Sequence, residues 1–136
     1  MNEGKPVAAP QAQERFSVTK RAKSFAHAWR GIGIFLKSTP NALIQMCVFF
    51  VAVVLGVYFS ITHMEWIALV LASGLVLAAE AFNRALEIDI DLTSPDIHPL
   101  ARDTKDVAAG AVLIAAMVSV VVGIEIFWHY FAALFA

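Results

Sequence analysis

The sequence predicts an all-α integral membrane protein with three transmembrane helices and one amphipathic helix on the membrane surface. Its 136 residues are 60% hydrophobic and only 15% charged, which is far from the composition of soluble domains. The apolar residues are concentrated in three blocks, and the ten Lys and Arg residues lie outside them. Since about 20 helical residues cross a bilayer core of about 30 Å, these blocks favour three spans.

The blocks and their flanks predict the organisation of the chain. Residues 1–14 are polar and without periodicity, which is typical of a disordered tail. Residues 15–38 place apolar side chains such as Phe25 and Trp29 on one helical face and basic side chains on the other, the pattern of a helix lying on a membrane surface. The remaining residues form the membrane domain 39–136, with spans at about residues 42–61, 65–91 and 105–128.

The positive charges predict the orientation of the chain. All ten Lys and Arg residues lie between Lys5 and Lys37 or between Arg84 and Lys105. By the positive-inside rule, the N-terminus and the 84–106 loop lie in the cytoplasm and the C-terminus lies outside. No cleavable signal peptide is visible. We therefore expect a multi-pass protein of the inner (cytoplasmic) membrane, and no nucleic-acid partner.

A row of polar residues follows the second apolar block. The uncharged run WIALVLASGLVLAA, residues 66–79, is followed by EAFNRALEIDID, residues 80–91. At the helical period, one face of this segment carries Glu80, Asn83, Arg84, Glu87 and Asp91. Asp89 lies on the opposite face. Because isolated charges at a membrane boundary are costly, this row requires cations or protons to balance it.

Two interpretations of the row remain open at this point. In the structural one, Glu80, Asn83 and Arg84 form a hydrogen-bonded network that holds helices together. In the functional one, Glu87 and Asn83 are oxygen ligands of Mg²⁺, Lys105 contacts a phosphate, and Glu80 is a general base. A base just below the apolar layer can meet a lipid hydroxyl on one side and a nucleotide on the other.

Two motifs carry a resemblance to a known family. EAFNRALEIDIDL resembles the E-x-x-N-[TS]-A-[IL]-E-x-x-x-D block of the prokaryotic diacylglycerol kinase family, and HPLARDTKDVAAGAVL is similar to its block around K-D-x-A-A-x-A-V. The resemblance covers about residues 15–128 and is closest to the undecaprenol kinase branch. It implies a homotrimer with active sites between subunits, which transfers the γ-phosphoryl group of ATP to a lipid alcohol with Mg²⁺.

The resemblance also implies roles for individual residues. Glu80 would be the catalytic base and, with Trp29, would contact the lipid. Glu87 and Asn83 would bind the metal ion. The ATP contacts would be Lys20, Glu87, Asp96, His98, Lys105 and Asp106.

The chain departs from the family pattern at several positions. Thr39 stands where the family has a second metal-binding Glu, and we expect it to cap the helix that begins at Pro40 instead. Leu43 replaces a polar residue, His27 a tyrosine, and Arg84 a Thr or Ser. The departures at Thr39 and Leu43 favour a second hypothesis, a catalytically impaired member that binds lipid or supports assembly.

A third hypothesis is a small transporter or proton channel that uses Glu80 and Glu125 as relay groups. The second apolar block provides only Ser73 as an intermediate polar group between residues 66 and 79.

Overall fold

The structure is a computed structural model that describes residues 17–94 and 98–135. The chain divides into two units, residues 1–32 and 33–136. The polar row lies in the second unit. The predicted tail, residues 1–14, lies outside the described residues.

All regular structure within the described ranges is α-helical. The helices are α1 (Val18–Ser38), α2 (Pro40–Phe59), α3 (His63–Thr93) and α4 (Pro99–Leu134). The last residues of α1 belong to the second unit, together with α2, α3 and α4. The location of α1 on a membrane surface stays a prediction.

Three of the helices are long and apolar enough to cross a membrane. Helices α2, α3 and α4 contain 20, 31 and 36 residues. At 1.5 Å per residue, α2 is about 30 Å long and α3 about 46 Å, compared with a hydrocarbon layer of about 30 Å. The prediction of an all-helical chain with three helices able to span a membrane is confirmed. Because α3 exceeds the layer, its polar C-terminal part has room to emerge from it.

The helix ends follow local sequence signals. Thr39 is the N-cap residue of α2 and Pro40 follows it, but the Thr39 side chain makes no capping hydrogen bond. The prediction that Thr39 is the N-cap residue before Pro40 is confirmed in position, without a capping hydrogen bond from its side chain. Ser60 ends α2 in a left-handed conformation, with φ 53° and ψ 48°. Thr62 and Glu65 then form a capping box that starts α3.

Helices α3 and α4 run antiparallel, because contacts join opposite ends of the two. The Tyr130 hydroxyl near the end of α4 donates a hydrogen bond to Glu65 Oε2 near the start of α3, over 3.0 Å. The other ends meet through Lys105 and Asp91. A buried apolar cluster lies at the Glu65 end, formed by Ile61, Leu69, Ile126 and Phe127.

Gly56 permits the close approach of α2 to the start of α3. A Cβ atom at this position would lie 2.9 Å from Trp66 Cη2, 3.0 Å from Trp66 Cζ2 and 3.1 Å from Ile61 Cδ1. These distances are too short for unstrained contact, so the Trp66 ring and Ile61 would have to move. Gly56 is thus a packing residue of this helix pair.

We expect Gly56→Ala to destabilise the protein because of this overlap. The matched control is Gly123→Ala, where an added Cβ has no neighbouring atom of the described chain within 4 Å. Both variants gain helix propensity, so the difference between their free energies of unfolding reports the steric overlap alone. We expect this overlap to cost about 1–3 kcal/mol. Thermal unfolding in detergent measures it. Equal stability of the two variants would contradict this account of the packing.

Candidate functional site in the polar row of α3

Glu80 is the deepest member of the polar row. The residue is only 2% exposed and is the largest fully buried side chain in the described chain. No hydrogen bond or ion pair joins its carboxylate to another residue within 17–94 and 98–135. The side chain is buried as a whole, but its carboxylate oxygens are not among the fully enclosed oxygens that lack a partner in the described residues.

Asn83, Arg84 and Glu87 form a connected group further along α3. Asn83 Nδ2 donates a hydrogen bond to Glu87 Oε1 over 3.2 Å. Arg84 Nη1 donates to Glu87 Oε2 over 2.9 Å, with both side chains about one-third exposed. Both carboxylate oxygens of Glu87 are therefore oriented by neighbours one turn earlier on the helix.

The predicted internal network is present only in part. The structural interpretation placed Glu80, Asn83 and Arg84 in one hydrogen-bonded group. Asn83 and Arg84 do share a partner, Glu87, but Glu80 makes no hydrogen bond to them. The burial of Glu80 therefore does not result from the hydrogen bonds that connect Asn83, Arg84 and Glu87.

The junction between α1 and α2 lies beside this row. Arg84 Nε donates a hydrogen bond to Ser38 Oγ over 3.3 Å, which connects residues 46 positions apart in the chain. Thr39, the neighbour of Ser38, is only 8% exposed. No pattern in the sequence indicates a role for Ser38, whereas the family resemblance draws attention to the position of Thr39.

Three buried side-chain oxygens among the described residues have no hydrogen-bond partner. They are Thr39 Oγ1, Gln45 Oε1 and Asn83 Oδ1. Each such group costs about 1–3 kcal/mol. Buried polar atoms left unpaired in a native protein call for an explanation such as a bound water, ion or catalytic role. Asn83 Oδ1 is notable because it belongs to a predicted metal ligand.

The oxygens of Asn83 and Glu87 can be tested as ligands for Mg²⁺. Both are hard oxygen donors of the kind that this ion prefers. Over the described ranges, no three His, Cys, Asp or Glu side chains group together as a metal site. Mg²⁺ is commonly held by one or two carboxylates together with substrate phosphates. The donor set therefore fits an ion that arrives with a nucleotide.

The start of α4 carries the other predicted ATP contacts. Lys105 Nζ forms an ion pair with Asp91, and the lysine side chain is 38% exposed. Asp106 is exposed and lies 3.7 Å from Arg102 Nε. His98 is the N-cap of α4, where its Nδ1 accepts a hydrogen bond from the Leu100 N–H. The capping role of His98 is a finding that the sequence did not predict.

The remaining predicted site residues are not placed relative to this group. Lys20 and Trp29 belong to the first unit. Asp96 lies outside the described residues. Their roles stay predictions.

An apolar cavity of about 390 Å³ lies between α2, α3 and α4. Its wall contains Gln45 on α2, Val76 on α3 and Ser119 on α4, among mostly apolar side chains. Val76 precedes Glu80 by about one helical turn. The cavity thus reaches the part of α3 where the polar row begins.

Comparison with known proteins places the chain in a family. Residues 26–127 match the prokaryotic diacylglycerol kinase family. The chain is 34% identical over 105 residues to the undecaprenol kinase of Bacillus subtilis (strain 168), covering 77% of this chain and 85% of that protein.

Two further relatives are named diacylglycerol kinase. That of Synechocystis sp. is 41% identical over 104 residues, covering 74% of this chain and 58% of the relative. That of Escherichia coli (strain K12) is 25% identical over 113 residues, covering 83% and 93% respectively. The motifs of the polar row, the three membrane-crossing helices and these matches agree, and the chain belongs to the prokaryotic diacylglycerol kinase family as a multi-pass membrane protein.

Proposed function

We propose that this chain is a lipid kinase that transfers the γ-phosphoryl group of ATP to the hydroxyl of undecaprenol or diacylglycerol. Membership of the family and the names of its relatives support the reaction class. The observation that carries the proposal is the buried side chain of Glu80, whose carboxylate makes no hydrogen bond within the described chain and which lies on the same face of α3 as the oxygen donors Asn83 and Glu87.

The chemistry follows from these positions. Glu80 accepts the proton of the lipid hydroxyl, and the resulting oxygen attacks the γ-phosphorus as the bond to the β,γ-bridging oxygen breaks and ADP leaves. Such a transfer depends chiefly on positioning and on stabilisation of charge. A Mg²⁺ ion held by Glu87 and Asn83 would supply neutralisation of the phosphate oxygens. Asn83 orients Glu87 Oε1, and Arg84 contacts Glu87 Oε2.

Lys105 is proposed to contact the phosphates of ATP. In the structure it pairs with Asp91 at a partly exposed position. Exposed ion pairs contribute only about 0–1 kcal/mol, so Lys105 can exchange this partner for a phosphate at little cost. Asp106, His98, Asp96 and Lys20 are the further ATP contacts that the family resemblance implies.

The apolar cavity is proposed to hold part of the lipid chain. Its wall is largely apolar, and Val76 brings it to within one turn of Glu80 on α3. A lipid chain lying there would direct its hydroxyl toward the row. Trp29 on α1 is the other lipid contact proposed from the resemblance.

The active protein is proposed to be a homotrimer in the inner (cytoplasmic) membrane. The distribution of Lys and Arg supports a cytoplasmic N-terminus and 84–106 loop, with the C-terminus outside. This orientation puts the polar row on the side where ATP is available.

A lipid panel tests the proposed function. The purified protein in nanodiscs is incubated with γ-³²P-ATP, Mg²⁺ and either undecaprenol or diacylglycerol, and labelled lipid is separated from nucleotide. We expect label in at least one of these lipid alcohols and none in a matched lipid that lacks the hydroxyl. A protein that labels neither lipid would overturn the proposal.

One observation favours the second hypothesis, a catalytically impaired family member. Thr39 is buried, and its hydroxyl has no partner in the described chain, although the resemblance expects a metal-binding carboxylate at this position. If the site lacks a necessary ligand, restoring it should increase the rate.

We expect Thr39→Glu to leave the rate of lipid phosphorylation at saturating ATP within about threefold of the wild type, because Glu87, Asn83 and the phosphates of ATP are proposed to supply sufficient ligands for the metal ion. Thr39→Gln is the matched control for the larger side chain. Steady-state rates across a Mg²⁺ titration provide the measurement. An increase of tenfold or more that is specific to Thr39→Glu would support the impaired enzyme instead.

A further inference from the structure

We infer that Arg84 is a phosphate-binding residue whose guanidinium contacts the phosphate oxygens of ATP bound at the polar row. This inference rests on the proposed function, since it requires a nucleotide at α3. It assigns a ligand contact to a residue that so far has only connected Ser38 and Glu87.

The first support is the way in which Arg84 is held. Its Nε donates to Ser38 Oγ over 3.3 Å and its Nη1 donates to Glu87 Oε2 over 2.9 Å. Contacts at two points fix the plane of the guanidinium. A guanidinium has five N–H donors, and within the described chain these two acceptors are its hydrogen-bond partners. The remaining donors form a fixed fork of the kind that binds phosphate with two parallel hydrogen bonds.

The second support is burial and charge. The Arg84 side chain is 32% exposed, so it is partly removed from water but still open to a ligand. Lys105, a second cation at the cytoplasmic end of α3 and α4 in the proposed orientation, is already paired with Asp91. Positive charge that is oriented before the substrate binds stabilises the charge of a transferring phosphoryl group more strongly than mobile charge in water.

The third support concerns Glu87. Arg84 occupies the Oε2 atom of this carboxylate, which is also an atom that a metal ion would use. A guanidinium and a divalent cation repel each other at such a distance. Position 39, next to the Ser38 partner of Arg84, carries a neutral threonine. The junction therefore provides a fixed cation and no second carboxylate, so part of the positive charge at the phosphates comes from the protein.

The inference predicts that substitution of Arg84 weakens ATP binding and strengthens metal binding, and a comparison of variants tests this. We compare the wild type with Arg84→Gln, Arg84→Lys and the control Arg102→Gln, which removes the same charge from a side chain that is 82% exposed. For each protein in nanodiscs we measure the affinity for ATP and for adenosine by competition with a fluorescent nucleotide. Binding of Mn²⁺ in the absence of nucleotide is measured by electron paramagnetic resonance.

We expect Arg84→Gln to weaken ATP binding by about 10- to 100-fold, the loss of a charge-assisted contact. Adenosine affinity should stay within about twofold, and Mn²⁺ binding should tighten because Glu87 Oε2 is released. Arg84→Lys, which keeps the charge but loses the fork, should recover part of the ATP affinity. Arg102→Gln should change ATP affinity by no more than about twofold, as for an exposed charge.

Other outcomes overturn the inference in distinguishable ways. If the wild type binds ATP and phosphorylates lipid but Arg84→Gln binds ATP equally well, the inference is wrong and the proposed function stands. Equal losses of ATP, adenosine and Mn²⁺ binding would show that Arg84 is only structural. A wild type that binds no ATP would overturn the proposed function, and the inference with it.

Discussion

Glu80→Gln is expected to lower the rate of lipid phosphorylation by about 10²- to 10⁴-fold, the usual contribution of a positioned general base. The amide has nearly the same shape as the carboxylate but cannot accept the hydroxyl proton. Because Glu80 makes no hydrogen bond within the described chain, the substitution breaks none there, and it nearly preserves the volume of this buried side chain. The thermal unfolding temperature should therefore not fall, and ATP affinity should stay unchanged.

The matched control for this experiment is Glu125→Gln. Glu125 is an exposed carboxylate on α4, in the half of that helix that packs against the start of α3. We expect wild-type rates for it in the γ-³²P-ATP assay. Loss of activity in both variants, or full activity in Glu80→Gln, would contradict the assignment of Glu80 as the base.

Glu87→Gln has the second large expected effect, because Glu87 is the carboxylate on which Asn83 and Arg84 converge. Its charge is proposed to bind the metal ion that accompanies ATP. Loss of a ligand should weaken Mn²⁺ binding in the presence of ATP by more than the roughly 10–100-fold that loss of an outer-shell partner costs. Lipid phosphorylation should fall at low Mg²⁺ and recover partly at high Mg²⁺.

Asp89→Asn provides the comparison for Glu87→Gln. Asp89 lies on the opposite face of the same helix and is exposed, so its substitution removes an equal charge at nearly the same depth. We expect an unchanged Mg²⁺ requirement. If lipid phosphorylation by the two variants depends on Mg²⁺ in the same way, the loss of one negative charge explains the effect of Glu87→Gln. The assignment of Glu87 as a metal ligand would then be wrong.

The helical fold could be predicted because its determinants are local. Three apolar blocks of sufficient length leave few alternatives for a chain in a membrane, where every backbone group must find a partner within its own segment. The helical period likewise places Glu80, Asn83 and Glu87 on one face without knowledge of any neighbouring helix. The hydrogen bond from Asn83 to Glu87 joins residues four positions apart, which is the spacing that this period brings together.

The contacts between elements could not be predicted in the same way. The hydrogen bond from Arg84 to Ser38 joins the end of α1 to the C-terminal half of α3, and no local pattern encodes which residues meet across that distance. Thr39 has the residue type and position of a helix cap, yet its hydroxyl makes no such bond. Propensity therefore identified where α2 begins but not what the Thr39 side chain does there.

The start of α4 shows the same limit of prediction from local sequence. A histidine before Pro99 suggested a nucleotide contact through the family resemblance, whereas its visible role is to accept the hydrogen bond from the Leu100 N–H. The pairing of Lys105 with Asp91 follows from the antiparallel packing of α3 and α4. Charge partners of this kind depend on the tertiary arrangement, which the sequence pattern alone does not specify.

Anomalous scattering from Mn²⁺ in an experimental structure with a non-hydrolysable ATP analogue tests the central claim most directly. The account predicts a metal peak at bonding distance from a Glu87 oxygen and from the γ-phosphate, with the Glu80 carboxylate facing the space where a lipid hydroxyl would approach. Nucleotide and metal bound away from α3, with Glu80 and Glu87 sealed from both, would contradict it.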